Sequence, residues 1–165
     1  MNLLGIYLND HRAGAVAGLE LAKRTLDNNR GTEYEAFLAR LVTDIEDDRA
    51  TLERLIDDNG VPKSPVKPAV AWATERIGRL KLNGALTGYS PLSRLIELEG
   101  LRLGVQGKLC LWRSLRHSRP PELEVTDEEL DELAARAEAQ IEAIEEHRLK
   151  AAATALAPAA VGTGD

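Results

Sequence analysis

Hydrophobic residues recur along most of this chain at alternating spacings of three and four, which is the period of an amphipathic α-helix. This pattern predicts four long helices, at residues 3–28, 33–58, 90–117 and 127–156. A shorter helix is expected at residues 69–82, between two stretches rich in proline, glycine and asparagine. The pattern therefore predicts an all-α fold.

Residues typical of helix ends separate these segments. Gly31 suits the left-handed conformation that ends a helix, and Thr32 with Glu35 predicts a capping box for the second helix. Ser90 followed by Pro91 predicts the start of the third. Because the loops after the first and third helices are short, each half of the chain is expected to form an antiparallel hairpin.

The second helix carries an acidic residue on its hydrophobic stripe. A carboxylate inside a core costs several kcal/mol unless it is paired, hydrogen-bonded or bound to a metal. The sequence therefore predicts that Asp48 has a partner on another helix. The apolar residues of this stripe are Leu38, Leu41, Ile45, Leu52 and Leu55.

Three further polar residues lie on or beside the other stripes: His11, Glu99 and His147. With a rise of about 1.5 Å per residue and alternating helix directions, His11 is expected level with Asp48, and Glu99 level with His147. Each pair is interpreted either as metal ligands or an acid/base pair, or as a buried hydrogen bond that fixes helix register. Arg148 is an alternative partner that would neutralise Glu99.

Composition narrows the range of functions. A chain of 165 residues, 44% of them hydrophobic, is long enough for one domain, which we place at residues 1–157 with a disordered tail at 158–165. A net charge of -6 argues against nucleic-acid and anionic-membrane partners. No apolar run is long enough to span a membrane. The single cysteine, Cys110, cannot form an intramolecular disulfide, which favours a cytoplasmic location.

Two helical hairpins joined by a long crossover resemble the ferritin-like superfamily of four-helix bundles, over residues 3–156. Members that bind two iron or manganese ions carry a Glu-x-x-His motif on each of two helices. In this chain Thr51 stands three residues after Asp48, and Ile144 stands three residues before His147, so neither motif is complete. The resemblance implies a reduced iron or manganese site with the candidate ligands His11, Asp48, Glu99 and His147.

Two functions follow as hypotheses. The first is a ferritin-like domain with a reduced metal site, which by analogy would bind iron or manganese or support oxidative chemistry. The second is a non-enzymatic helical interaction or structural protein that has lost metal binding. The third helix is apolar around much of its circumference, so we expect a homodimer formed through this helix and the crossover. Neither hypothesis assigns a catalytic residue.

Overall fold

A computed structural model describes residues 2–65, 88–121 and 123–157 of the chain. These residues form an all-α four-helix bundle, which confirms the predicted fold class. All four helices begin and end within two residues of their predicted bounds. The helices are α1 (Leu3–Asn28), α2 (Glu35–Asp58), α3 (Pro91–Ser118) and α4 (Asp127–Ala155).

The helices pack as two hairpins, α1 with α2 and α3 with α4, and α1 also packs on α3. The chain after α2 lies beside the start of α1, where Ser64 N donates to Asn9 Oδ1 at 2.7 Å. It returns beside the end of α1, where Tyr89 Oη accepts from Asn29 Nδ2 at 2.7 Å. The short helix predicted at residues 69–82 and the predicted tail at 158–165 lie outside the described residues.

Local sequence accounts for most of the helix starts. Asn2 caps α1 by accepting from Gly5 N at 2.9 Å. Ser90 and Ser93 form a capping box at the start of α3, with Pro91 in the first turn as predicted. These side chains satisfy amide groups that a helix start would otherwise leave unpaired.

The start of α2 differs from the prediction. Thr32 does not cap the helix, because its hydroxyl donates back to Asn29 O at 2.7 Å, and α2 begins three residues later, at Glu35. The Glu35 carboxylate accepts from Gly31 N at 2.7 Å and so stabilises the turn ahead of the helix. Gly31 has the predicted left-handed conformation, with φ of 74°. The chain from Asn29 to Glu35 is therefore a hydrogen-bonded turn that precedes the helix.

The core lies where the stripes of the four helices meet. On α3 the hydrophobic surface extends beyond the core, and Leu103 is 69% exposed. Within the three described ranges, no helix has the length and hydropathy needed to cross a bilayer. The largest fully buried apolar side chains are those of Leu8, Leu38, Leu55, Ile56, Leu98, Leu111, Trp112, Leu115 and Ile144.

Candidate functional site

The buried carboxylate of Asp48 lies in a polar cluster drawn from three helices. Asp48 is 2% exposed, and its Oδ2 accepts from Gln140 Nε2 of α4 at 3.1 Å. The Lys108 ammonium of α3 donates to the same oxygen, and the Arg136 guanidinium of α4 donates to Oδ1. Lys108 also donates to Gln140 Oε1. Asp48 therefore has partners on other helices, as its buried position requires. These partners are two cationic groups and an amide, and they do not include the predicted His11.

Burial governs the charge state of this cluster. The Lys108 side chain is 16% exposed, whereas that of Arg136 is 41% exposed. Burial lowers the pKa of Lys108, and although Asp48 acts in the opposite direction, the pKa remains below its ordinary value. When both basic groups are protonated, the one carboxylate in contact with them leaves a net charge of about +1.

The cluster forms part of the wall of a groove between α1 and α3. The groove has a volume of about 490 Å³, and α2 completes its wall with Ile45, Asp48 and Leu52. This volume lies within the range of about 300 to 1,000 Å³ that is typical of small-molecule sites. Most of the lining is apolar, and Lys108 stands beside Asp48 on the α3 side. We call this feature the α1–α3 groove.

Glycines keep the α1–α3 groove open. At Gly100 an added Cβ would meet Leu21 Cδ2 at 3.1 Å, so this glycine allows close packing of α3 against α1. At the other four glycines of the lining, a Cβ would meet no atom within 4 Å among the described residues. Close contact between the four described helices therefore does not account for them. The four open positions are Gly14, Gly18, Gly104 and Gly107.

His11 lines the same groove as Asp48, on α1. Its ring packs edge-on against Tyr7, with ring centroids 4.6 Å apart. Burial lowers the pKa of His11, and the neighbouring Asp10 opposes that shift only in part. The neutral imidazole is therefore favoured at pH 7. His11 and Asp48 share one groove, as their predicted levels imply, but the predicted pairing is corrected because Asp48 is engaged by other groups.

Glu99 and His147 do not form the predicted pair either. Glu99 is 49% exposed, and its Oε1 lies 3.6 Å from the Arg148 guanidinium, which is the alternative partner that the sequence indicated. The His147 ring stacks on Phe37 of α2, with centroids 3.8 Å apart and an angle of 9° between the planes. Its Nδ1 lies 2.8 Å from Ala143 O. His147 therefore packs against α2 and contacts the backbone of its own helix.

A second buried polar cluster links the chain entering α3 to the end of α1. Glu97 is 5% exposed and accepts a hydrogen bond from Tyr89 Oη at 2.9 Å. The Arg24 guanidinium lies 3.2 Å from the other carboxylate oxygen of Glu97. The hydrophobic pattern of the third helix did not single out Glu97, so the sequence did not indicate this cluster. Its contacts hold α1 and α3 together at the end of the bundle opposite His11.

The predicted metal ligands do not converge. Among the described residues, no group of three or more His, Cys, Asp or Glu side chains is arranged to hold a metal ion. The carboxylate of Asp48 is engaged by two cationic groups, and these would repel a metal ion. These residues do not fit the di-iron or di-manganese centre that the ferritin-like resemblance implies.

Sequence spacing contained a signal for two of the residues that were not predicted as partners of Asp48. Lys108 lies three residues after Val105 and four before Trp112, both of which are buried, so it occupies the buried face of α3. Gln140 has the same spacing within α4 and is 4% exposed. Arg136 has no such signal, because it reaches Asp48 from an exposed position.

Comparisons with known proteins leave this site to be interpreted from its own geometry. No family model, curated protein or solved structure matches the chain. The α1–α3 groove and the charged cluster in its wall are therefore the features from which a function can be argued.

Proposed function

We propose that this protein is a non-enzymatic binding protein whose α1–α3 groove takes a small, largely apolar molecule. The observation that carries this proposal is the groove itself, with a volume of about 490 Å³ and a mostly apolar lining. At four glycines of its wall an added Cβ would meet no atom of the described residues within 4 Å, although glycine inside a helix destabilises it by roughly 0.5 to 1 kcal/mol relative to alanine. A bound molecule would fill that space.

The polar groups of the groove suit orientation of a ligand better than catalysis. Both oxygens of the Asp48 carboxylate already accept hydrogen bonds from Lys108 and Arg136. His11 is kept neutral by burial and packs against Tyr7. A site with few polar groups on an apolar wall is typical of ligand recognition.

The ferritin-like arrangement is part of this proposal. Two hairpins support it, as does a connection that leaves beside Asn9 and returns beside Asn29, at opposite ends of α1. A cytoplasmic location is also proposed, because the single cysteine, Cys110, is exposed and free, as a reducing compartment permits.

Binding of the uncharged fluorescent dye Nile red tests the proposal. We expect saturable binding to the wild-type chain with a rise in dye emission. In Gly104→Leu the new side chain fills the groove, and binding should weaken at least tenfold. The matched control is Ala139→Leu on α4, which places the same side chain at an exposed position outside the groove. It should bind the dye as the wild type does.

Two outcomes would overturn the proposal. Absence of saturable binding would mean that the groove does not take a small apolar molecule in solution. Equal binding by Gly104→Leu and the wild type would place the dye elsewhere. Circular dichroism of each variant establishes that it is folded, so a loss of binding is not mistaken for unfolding.

Homodimerisation through α3 is the second candidate function, and one observation favours it. Leu103 is 69% exposed and lies in the lining of the α1–α3 groove, so it can act as an anchor in a second chain. Sedimentation velocity of the wild type and Leu103→Glu tests this candidate. A dimer in the wild type and a monomer in the variant would support it, whereas a monomeric wild type would rule it out.

A further inference from the structure

We propose that the α1–α3 groove selects amphipathic carboxylates, that is, apolar molecules with a single carboxylate that binds at Lys108. This inference rests on the proposed function and names the class of ligand. Two features of the groove carry it. One is that Lys108 lines a mostly apolar groove, and the other is the charge of the cluster to which Lys108 belongs.

The hydrogen bonds of Lys108 leave room for another acceptor. A protonated lysine has three N–H groups. In the structure one donates to Asp48 Oδ2 and another to Gln140 Oε1. One N–H remains for a ligand, and Lys108 lies in the groove lining, where a ligand carboxylate can reach it. A hydrogen bond to a charged group in such a site contributes more than one between neutral groups.

The charges around Lys108 favour an anion. Within hydrogen-bonding distance, Asp48 is the one carboxylate that faces Lys108 and Arg136 among the described residues. A ligand carboxylate would bring this cluster to two anions and two cations. Asp44 acts on Lys108 without a hydrogen bond between them. It is partly exposed, so solvent weakens its effect.

The other charged residues of the groove lining do not change the preference for an anion at Lys108. Arg49 lies 3.9 Å from Glu53 Oε1, an oxygen that Arg12 also contacts, and the Arg49 side chain is 37% exposed, so water screens its charge. Asp10 is exposed at the edge of the groove, where water screens it. His11 is kept neutral by burial. The apolar part of the ligand would lie along the open glycines and the carboxylate would lie at Lys108.

Displacement of Nile red by decanoate and by 1-decanol tests the selection, because the two compounds have the same chain length and differ in charge. We expect decanoate to displace the dye at a concentration about ten times lower than 1-decanol, as one charge-assisted hydrogen bond predicts. In Lys108→Met this preference should disappear while Nile red still binds. Lys108→Arg keeps the positive charge and should retain the preference. Lys23→Met is the control, since Lys23 pairs with Glu46 outside the groove.

The outcomes separate this inference from the proposed function. Dye binding with equal displacement by the two compounds would overturn the carboxylate selection and leave the apolar groove standing. No dye binding at all would overturn both. A preference for decanoate that persists in Lys108→Met would also contradict the inference, because the carboxylate would then bind elsewhere. Lys108→Arg keeps the inference testable if Lys108→Met does not fold.

Discussion

Asp48 is the residue on which the centre of the bundle depends. A buried carboxylate is unfavourable unless other groups compensate its charge, and here Lys108, Arg136 and Gln140 do so from two other helices. Removing one charge from such a cluster is costly because the remaining charges lose their partner. The cost is reduced here, since Arg136 is 41% exposed and can be solvated.

We therefore predict that Asp48→Asn lowers the free energy of unfolding by about 2 kcal/mol at pH 7. The physical reason is that Lys108 and Arg136 lose the carboxylate between them while the shape of the site is preserved. Urea denaturation at equilibrium measures the change. Asp47→Asn is the matched control, because Asp47 is the exposed neighbour on the same helix, and its effect should be within about 0.5 kcal/mol of zero.

A double variant distinguishes loss of charge pairing from loss of shape. Replacing both Asp48 and Lys108 by apolar residues of similar size, Asp48→Leu with Lys108→Met, should restore part of the stability lost in Asp48→Leu alone. If the effects of the two changes on the free energy of unfolding are simply additive, the interaction between Asp48 and Lys108 contributes no free energy. That result would contradict charge pairing as the reason for the stability of the cluster.

Glu53 connects α1 to the chain that follows α2. Its carboxylate lies 2.8 Å from Arg12 Nε and 2.9 Å from Lys63 Nζ. Burial raises the pKa of Glu53, but hydrogen bonds from Lys63 and Arg12 outweigh burial, so the pKa is lowered overall. The unfolded chain therefore takes up the proton at a higher pH than the folded chain does. Ionised Glu53 stabilises the fold above the ordinary pKa of 4.5, and this stabilisation is lost as the pH falls through the lowered pKa.

We predict that Glu53→Gln costs about 1 kcal/mol of unfolding free energy at pH 7. The difference from the wild type should shrink as the pH falls below 4.5. Urea denaturation at several pH values measures it. Glu46→Gln, at a pair that is about half exposed on both sides, should change stability less at every pH. A Glu53→Gln effect that does not vary with pH would contradict the electrostatic explanation.

At the scale of helices, the sequence predicts the bounds well because the determinants of a helix end are local. Ser90 and Pro91 fix the start of α3 within a few residues of chain. The start of α2 was placed too early because Thr32 and Glu35 have two ways to satisfy the same turn, and the pattern does not rank them. Thr32 bonds to the backbone of Asn29. The side chain of Asn29 is bound by Tyr89 and by Arg94 of α3, and these contacts are distant in sequence.

The glycines of α1 and α3 offer a test at this scale. Gly104→Ala should raise the free energy of unfolding by roughly 0.5 to 1 kcal/mol, because alanine favours the helix and its Cβ would enter open space. Gly100→Ala is the matched control on the same helix. It should gain less, since its Cβ would lie 3.1 Å from Leu21 Cδ2. Equilibrium denaturation of the purified protein measures both. A destabilised Gly104→Ala would show that another group fills the groove in solution.

At the scale of the whole molecule, the sequence identified the buried carboxylate correctly, but it did not identify the groups that contact this carboxylate. The stripe of α2 identified Asp48 as a buried carboxylate, and it is 2% exposed. Its partners depend on the rotation of α3 and α4 about their axes, which places Lys108 and Gln140 rather than His11 against it. Helical periodicity defines a face to within a residue or so, but it does not define which faces meet across a bundle.

The metal hypothesis is argued at this scale, because a di-metal centre needs ligands from all four helices at one level. Asp48 is engaged by two cations, and Glu99 pairs with Arg148. We therefore predict that the chain, incubated with ferrous iron or manganese and then desalted, retains no more metal by elemental analysis than an Asp48→Leu control treated identically. Retention of about one or two equivalents by the wild type, lost in Asp48→Leu, would restore the ferritin-like metal site. The two cations around Asp48 would then have to move aside in solution, and Lys108→Met should strengthen metal binding by removing one of them.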